Sequence, residues 1–290
     1  MRLTRRGFLK VAGGAAIGLL GGCGGGSGAP GTGRSMPDGS TGALLRSLAP
    51  APTPFSAPLP IPPVLAPVRR DATTDFYDLT QRSARAAILP GLPTEIWGYD
   101  GLFPGPTIEA RRGRRVVVRH RNTLPVPTVA HLHGAVAPPD QDGYPTDLLL
   151  PEGGWPGGGH SHAAPGAVSH GSREYCYPND QPAATLWYHD HRMDFTGPQV
   201  YRGLAGFHLI RDEAEAALPL PGGERDIPLM ICDRSFAADG SFMYPSIDPG
   251  LGGKPGVADD FAAGVLGDIN LVNGAAWPVL EVSNTRYRFR

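Results

Sequence analysis

Apolar and polar residues alternate in short runs along most of the chain, and nowhere does an apolar stripe persist at helical spacing. Phe76-Tyr77-Asp78-Leu79-Thr80 is one such run; Thr107–Ala110 and Arg115–Asn122 are two more, joined through a turn at Arg112-Gly113. Thr128–Gly134, Ser172–Tyr177 and Ala184–His191 read the same way, and Gly203–Ile210 closes the series. A period of two puts alternate side chains on opposite faces, so these runs predict half-buried β-strands. Between them, Trp97–Pro106 is aromatic and turn-rich, and Pro138–Gly171 is a long Asp/Gly/Pro loop. Asp212–Ala217 is the nearest approach to a helix, and a Pro/Gly break at Leu218–Gly223 precedes a second unit beginning at Asp226. The pattern predicts an all-β fold.

Composition supports it. Among 290 residues, 41 Gly and 32 Pro favour many short strands and turns over long helices. A formal net charge of −1 gives no electrostatic reason to expect nucleic acid as a partner. The N-terminus reads as an address: Thr4-Arg5-Arg6-Gly7-Phe8-Leu9-Lys10 precedes a short apolar run, Val11–Leu20, well below the ~20 residues that span a bilayer. The consecutive Arg5 and Arg6 resemble a twin-arginine signal, whose export machinery carries folded proteins. Leu20-Gly21-Gly22-Cys23 resembles a lipobox, so either lipidation at Cys23, with membrane anchoring, or ordinary signal cleavage fits. The expected organisation is a signal over 1–28, a disordered Pro/Gly/Ser-rich linker over 29–70, a first domain over 71–217 and an incomplete second domain over 224–290. The expected location is the periplasm or the outer face of the cell envelope.

Two motifs carry the chemistry: His131-Leu132-His133-Gly134 and Trp187-Tyr188-His189-Asp190-His191. On a strand, each His-x-His turns two imidazoles to one face, and two such strands together offer four neutral donors suited to copper, zinc, iron or nickel. Satisfied core histidines are the competing explanation, and the doubled motif outweighs it. His208 has no partner two residues away and reads as structural; His160, His162 and His170 read as part of a solvated insertion. Cys176 and Cys232 could pair in an oxidising compartment or stand as two small buried residues.

The two motifs, in this order, resemble half of the copper-ligand set of multicopper oxidases. Trp97–Thr107 (WGYDGLFPGPT), Asp142-Gly143-Tyr144-Pro145, Leu204–Asp212 (LAGFHLIRD) and Asp239-Gly240-Ser241 are similar to the branch containing bacterial spore-coat laccases, bilirubin oxidases and phenoxazinone synthase. The resemblance implies a cupredoxin-like Greek-key β-sandwich. It also implies that His131 binds the type 2 copper and that His133, His189 and His191 bind the type 3 pair. Asp142 matches an acidic residue that the family places near the cluster and its solvent path, which implies proton relay; as a residue before Gly143 it is also an ordinary turn former. Trp187 is expected to pack and Asp190 to face away from the ligands.

The family uses eight histidines for three clustered coppers, and its type 1 copper is held by His-Pro-x-His-x-His and His-Cys-His motifs that this sequence does not contain. The chain is therefore expected to be an N-terminal fragment, inactive alone. The complete protein is expected to couple one-electron oxidation of phenols, pigments or metal ions to four-electron reduction of O2 to water. The alternative is a non-enzymatic exported copper-binding protein. A zinc hydrolase is disfavoured, because neither His-Glu-x-x-His nor His-x-His-x-Asp-His occurs.

Overall fold

The computed structural model of the protein describes residues 44–156, 166–245 and 265–290. The signal motif with Arg5 and Arg6, the lipobox Cys23, the start of the linker, and His160 and His162 lie outside the described residues.

In chain order the strands begin with β1 (Leu44–Leu45), β2 (Arg69–Arg70), β3 (Thr74–Leu89), β4 (Leu92–Tyr99), β5 (Gly105–Arg111), β6 (Arg115–Asn122) and β7 (Ala130–His133). They continue with β8 (Leu148–Leu150), β9 (Val168–His170), β10 (Ser172–Tyr177) and β11 (Ala184–Asp190), then helix α1 (Thr196–Tyr201), β12 (Ala205–Arg211) and helix α2 (Glu213–Ala216). Shorter strands follow: β13 (Asp226–Ile227), β14 (Ile231–Arg234), β15 (Leu266–Gly267), β16 (Ile269–Val272), β17 (Ala275–Ala276) and β18 (Arg288–Phe289).

Two sheets make the main body. One runs β10-β6-β3-β2, with β4 also paired to β3; the other runs β5-β12-β11-β7. Parallel pairs, β3 with β6 and β5 with β12, sit among antiparallel neighbours, as crossing connections require. The alternation along β6 shows why the sheets face each other. Val116, Val118, His120 and Asn122 are buried, while Arg115, Arg119 and Arg121 are exposed. From the first sheet Leu79, Val116, Val118 and Tyr175, and from the second Ile108, Leu132, Tyr188 and Ile210, form one core. Burying each such aliphatic side chain contributes about 1.5–3 kcal/mol.

The sandwich also encloses two histidines. His120 lies edge-on to Tyr99 and Tyr175, with ring centroids 5.6 and 5.5 Å away, and burial pushes its pKa down to about 3. His208 is fully buried with Nε2 3.2 Å from Asn179 Oδ1, a structural role as its isolation in sequence suggested.

Three features depart from the sequence reading. First, β3 is 16 residues long and turns back at Pro90-Gly91 into β4, through residues 81–96 to which the sequence reading assigns no element. Gly91, at φ +75°, supplies the left-handed corner of that turn. The far end of this hairpin, with Ile88, Leu89 and Ile96, packs against Phe236, Ile269 and Leu271, around the β14-β16-β17 sheet. Second, the loop 138–171 contains the parallel pair β8–β9, which places His170 on a strand. Third, Thr196–Tyr201 is helical although it carries Gly197 and Pro198. Asp212–Ala217, the nearest approach to a helix in the sequence, holds the four-residue helix α2, its N-terminus capped by Asp212, which accepts from Glu215 N at 2.7 Å.

The expected disordered linker over 29–70 is corrected from Leu44 onward. Leu45 and Ala49 are 4% and 6% exposed, Ser47 binds the Asp268 carboxylate through its N–H at 2.9 Å, and Leu48 N donates to Phe236 O at 2.7 Å. Further along, Val279 N donates to Ala57 O, and Thr107 N in β5 donates to Pro63 O, each at 2.8 Å. Proline lacks an N–H and cannot build its own ladder, but an extended proline-rich chain still presents carbonyls to neighbouring donors. The composition indicated extension correctly and packing wrongly. Cys176 and Cys232 are both free thiols.

Leu45→Ala is expected to lower unfolding stability by about 2–4 kcal/mol, the cost of a buried leucine lost from a packed site. Urea denaturation measures it, and a midpoint unchanged from the parent would mean that the arm is loose in solution.

Candidate metal centre

β7 and β11 run antiparallel in a register that sets His189 opposite His131 and Trp187 opposite His133. On β7 the alternation buries Ala130 and Leu132 in the sandwich and turns His131 and His133 to the outer face. On β11 it buries Leu186 and Tyr188, leaving Trp187 and His189 on that same outer face, with His191 two residues beyond. All four sequence-selected histidines therefore converge. The His131 ring centroid lies 5.5 Å from that of His133, 5.3 Å from His189 and 5.0 Å from His191, and His189 lies 5.5 Å from His191. The ligand nitrogens of His131, His133 and His189 all fall within 4.8 Å of one another. His133 and His189 approach nitrogen to nitrogen, Nδ1 to Nε2, at 3.4 Å.

Second contacts aim the rings. His131 Nδ1 lies 2.5 Å from the backbone carbonyl of Asp142, and His189 Nδ1 lies 2.7 Å from that of Asp190. A carbonyl only accepts, so each Nδ1 carries the proton and donates it, leaving Nε2 with its lone pair free for a metal. His191 has a buried Nδ1 without a partner among the described residues, an orphaned polar atom that a metal ion would satisfy. Trp187 fulfils its packing role, stacked on His189 at 4.0 Å and on His133 at 5.4 Å, so neither ring can swing freely. His189 and Trp187 also form part of the wall of an open, largely apolar cavity of about 650 Å³, shared with Phe207, Met230 and Tyr201.

The donors are chemically ready. Burial, reinforced by the neighbouring imidazoles, brings His189 down to about 4, and burial likewise lowers His191, so both are neutral ligands near pH 7. Four imidazoles from two strands fit a cluster of copper ions, or another metal that prefers nitrogen.

Asp142 sits at the rim with its side chain 47% exposed and a carboxylate oxygen 3.5 Å from His131 Nδ1. The sequence singled out its carboxylate; the shorter contact belongs to its carbonyl, which residue type alone does not reveal. Gly143 follows at φ +77°, and a Cβ there would run into the Ala130 carbonyl, so the loop rests directly on the ligand strand. Asp190 points the other way, into the sandwich. It accepts from Val129 N at 3.0 Å and Arg192 N at 3.1 Å, and burial pushes its carboxyl up to about 7. It thereby ties the chain just before β7 to the end of β11.

These buried groups set an acid limit for the metal-free protein. His120, His189 and His208, depressed to about 3, 4 and 4, stay neutral in the fold and bind a proton once the chain unfolds and their pKa returns to 6.5. Stability should therefore fall as pH drops from 6.5 toward 4; Asp190 acts oppositely in that window, one group against three. Urea titrations between about pH 7 and pH 5 should show a net loss on the order of 1–3 kcal/mol per unit. Stability that is flat or rises toward acid would mean that these rings are not buried and neutral.

Comparison with known proteins agrees with this geometry. A family model described as multicopper oxidase matches residues 81–215. The laccase of Bacillus subtilis (strain 168) is 40% identical over 264 residues, covering 81% of this chain and 48% of that protein. The bilirubin oxidase of Albifimbria verrucaria is 35% identical over 246 residues, covering 81% and 37%. The crystal structure of a laccase from Pediococcus acidilactici superposes with a TM-score of 0.64 at 32% identity, over 82% of this chain and 47% of that one. The chain thus spans about half the length of the laccases it matches. Its sandwich is the cupredoxin-like Greek-key fold, and with four imidazoles on the outer face of β7 and β11 the chain belongs to the multicopper oxidase family.

Proposed function

We propose that the complete protein is an exported copper-dependent oxidase, taking single electrons from phenol, pigment or metal-ion substrates and reducing O2 to water. The convergence of His131, His133, His189 and His191 on one sheet face carries this reading. His131 would hold the type 2 copper, and His133, His189 and His191 the type 3 pair. The remaining ligands and the type 1 copper would come from sequence beyond this chain. Bound copper would supply the one-electron chemistry and the oxygen activation.

The chain's own residues prepare that chemistry. The Asp142 and Asp190 carbonyls fix the Nδ1 protons of His131 and His189, which leaves Nε2 of each ring as the nitrogen that would bind a metal. Trp187 holds two of the rings by stacking, which lowers the conformational entropy lost when a metal binds. Reduction of O2 to water consumes four protons, and the Asp142 carboxylate, exposed and 3.5 Å from His131 Nδ1, would carry them between solvent and the centre. The Arg5-Arg6 signal would send the protein through the twin-arginine route to the periplasm or the outer envelope, and lipidation at Cys23 would keep it at the membrane.

In the complete protein, His189→Ala should abolish copper-cluster assembly and turnover of a phenolic dye while the β-sheet circular dichroism is retained. Full activity in that variant, or loss of the sheet signal along with copper, would sink the ligand assignment. Asp142→Asn should bind copper normally and turn over about a hundredfold more slowly, the scale of a lost proton-transfer group. An unchanged rate and pH profile would remove Asp142 from the relay.

A further inference from the structure

The loop that supplies the Asp142 carbonyl has no regular structure beyond the short 3₁₀ turn Pro139–Gln141, yet it must place one oxygen within 2.5 Å of a ring nitrogen. A single side chain from the neighbouring sheet spans its two limbs. Arg173, in β10, donates from Nη2 to Asp140 O at 3.2 Å on one limb. It donates from Nη1 to Asp147 O at 3.2 Å, and from Nη2 to the Asp147 carboxylate at 3.3 Å, on the other. Both partners of this ion pair are largely buried, at 11% and 16% side-chain exposure, and the guanidinium lies 4.9 Å from the Tyr175 ring centroid. Asp142 and Gly143 lie between the two anchored points. Two further contacts hold the same segment: Cys176 N donates to Gln141 Oε1 at 2.8 Å, and Met193 N donates to Pro145 O at 3.0 Å.

We propose that Arg173 is a positioning residue for the metal centre: by joining Asp140 to Asp147 it holds the Asp142 carbonyl against His131 and so decides which ring nitrogen of His131 is free to bind. The two neutral imidazole tautomers differ little in intrinsic free energy, so the hydrogen-bond partner of one nitrogen selects between them. The guanidinium's planar fork reaches two acceptors on one limb and one on the other, whereas the ammonium of lysine is a point donor on a flexible stem. Arg173 touches neither metal nor substrate; it acts through Asp142. The inference rests on His131 being a ligand, as proposed above.

The test reads the tautomer directly, in metal-free full-length protein labelled with 15N-histidine, at a pH where the rings are neutral; the His131 signals are assigned by their loss in His131→Gln. The parent protein should show His131 protonated at Nδ1. Arg173→Met should give a mixture of tautomers or the inverted one. Arg173→Lys, which keeps the charge and the contact with Tyr175 and so guards against simple misfolding, should fall between them. His189, whose Nδ1 donates to a different carbonyl, should be unchanged in both variants, and a general loosening of the fold would not spare it. Identical His131 signals in the parent and both variants would overturn the proposal. Copper titration of the same samples separates the two readings. About tenfold weaker binding in Arg173→Met, equivalent to about 1.4 kcal/mol, supports the positioning role. A parent protein with the expected tautomer but no copper affinity would overturn the metal reading, and with it any role of Arg173 in positioning a ligand.

Discussion

The pairing register between β7 and β11 is the constraint on which the centre depends, because it alone converts two separate His-x-His sequences into one donor set. With His189 opposite His131, four imidazoles share the outer face, while Leu132, Leu186 and Tyr188 share the core. A slip of one residue would exchange these sets, driving imidazoles into the sandwich and hydrophobic side chains to the surface. The hydrophobic core and the metal site are therefore specified by the same alternation. Asp190 reinforces that register from beneath: its buried carboxylate accepts one N–H from the chain entering β7 and one from the chain leaving β11.

Around that pair the rest of the fold works as buttress. β12 and β5 extend the ligand sheet, and the facing sheet seals its inner side with tyrosines and aliphatic residues. The β3–β4 hairpin reaches past the sandwich to share a core with Phe236, Ile269 and Leu271, coupling the ligand-bearing body to the sheets that follow. Precision at the site comes from backbone carbonyls: that of Asp190 at the end of β11, and that of Asp142 in a loop tied down by the side chains of Arg173 and Gln141.

Much of this is legible in the sequence, for a physical reason in each case. The ligands are readable because a strand has a period of two, so that His-x-His states its own geometry. β6 and β11 are readable from the same alternation. What escapes depends on partners distant in sequence or on backbone atoms. The strand at Leu92–Tyr99 is obscured by the aromatic, glycine-rich residues that follow it, although Pro90-Gly91 is a turn signal that would have revealed the hairpin. The segment from Leu44 to Arg70 was misread because proline content reports extension, and burial there depends on Phe236, Asp268 and Val279. The role of the Asp142 carbonyl was out of reach, since every residue carries one.

The docked arm has a consequence for the order in which the molecule is completed. Ser47 is synthesised early, yet its partner Asp268 lies 221 residues downstream, and the partner of Leu45, Ser235, lies 190 residues away. Loops of that length are expected to close after local strands have formed, so the arm around Leu45–Ser47 should be among the later parts to lock. An arm whose partners are Ser235, Phe236, Asp268 and Val279 cannot dock until those residues are in place, so it acts as a timer for that part of the body.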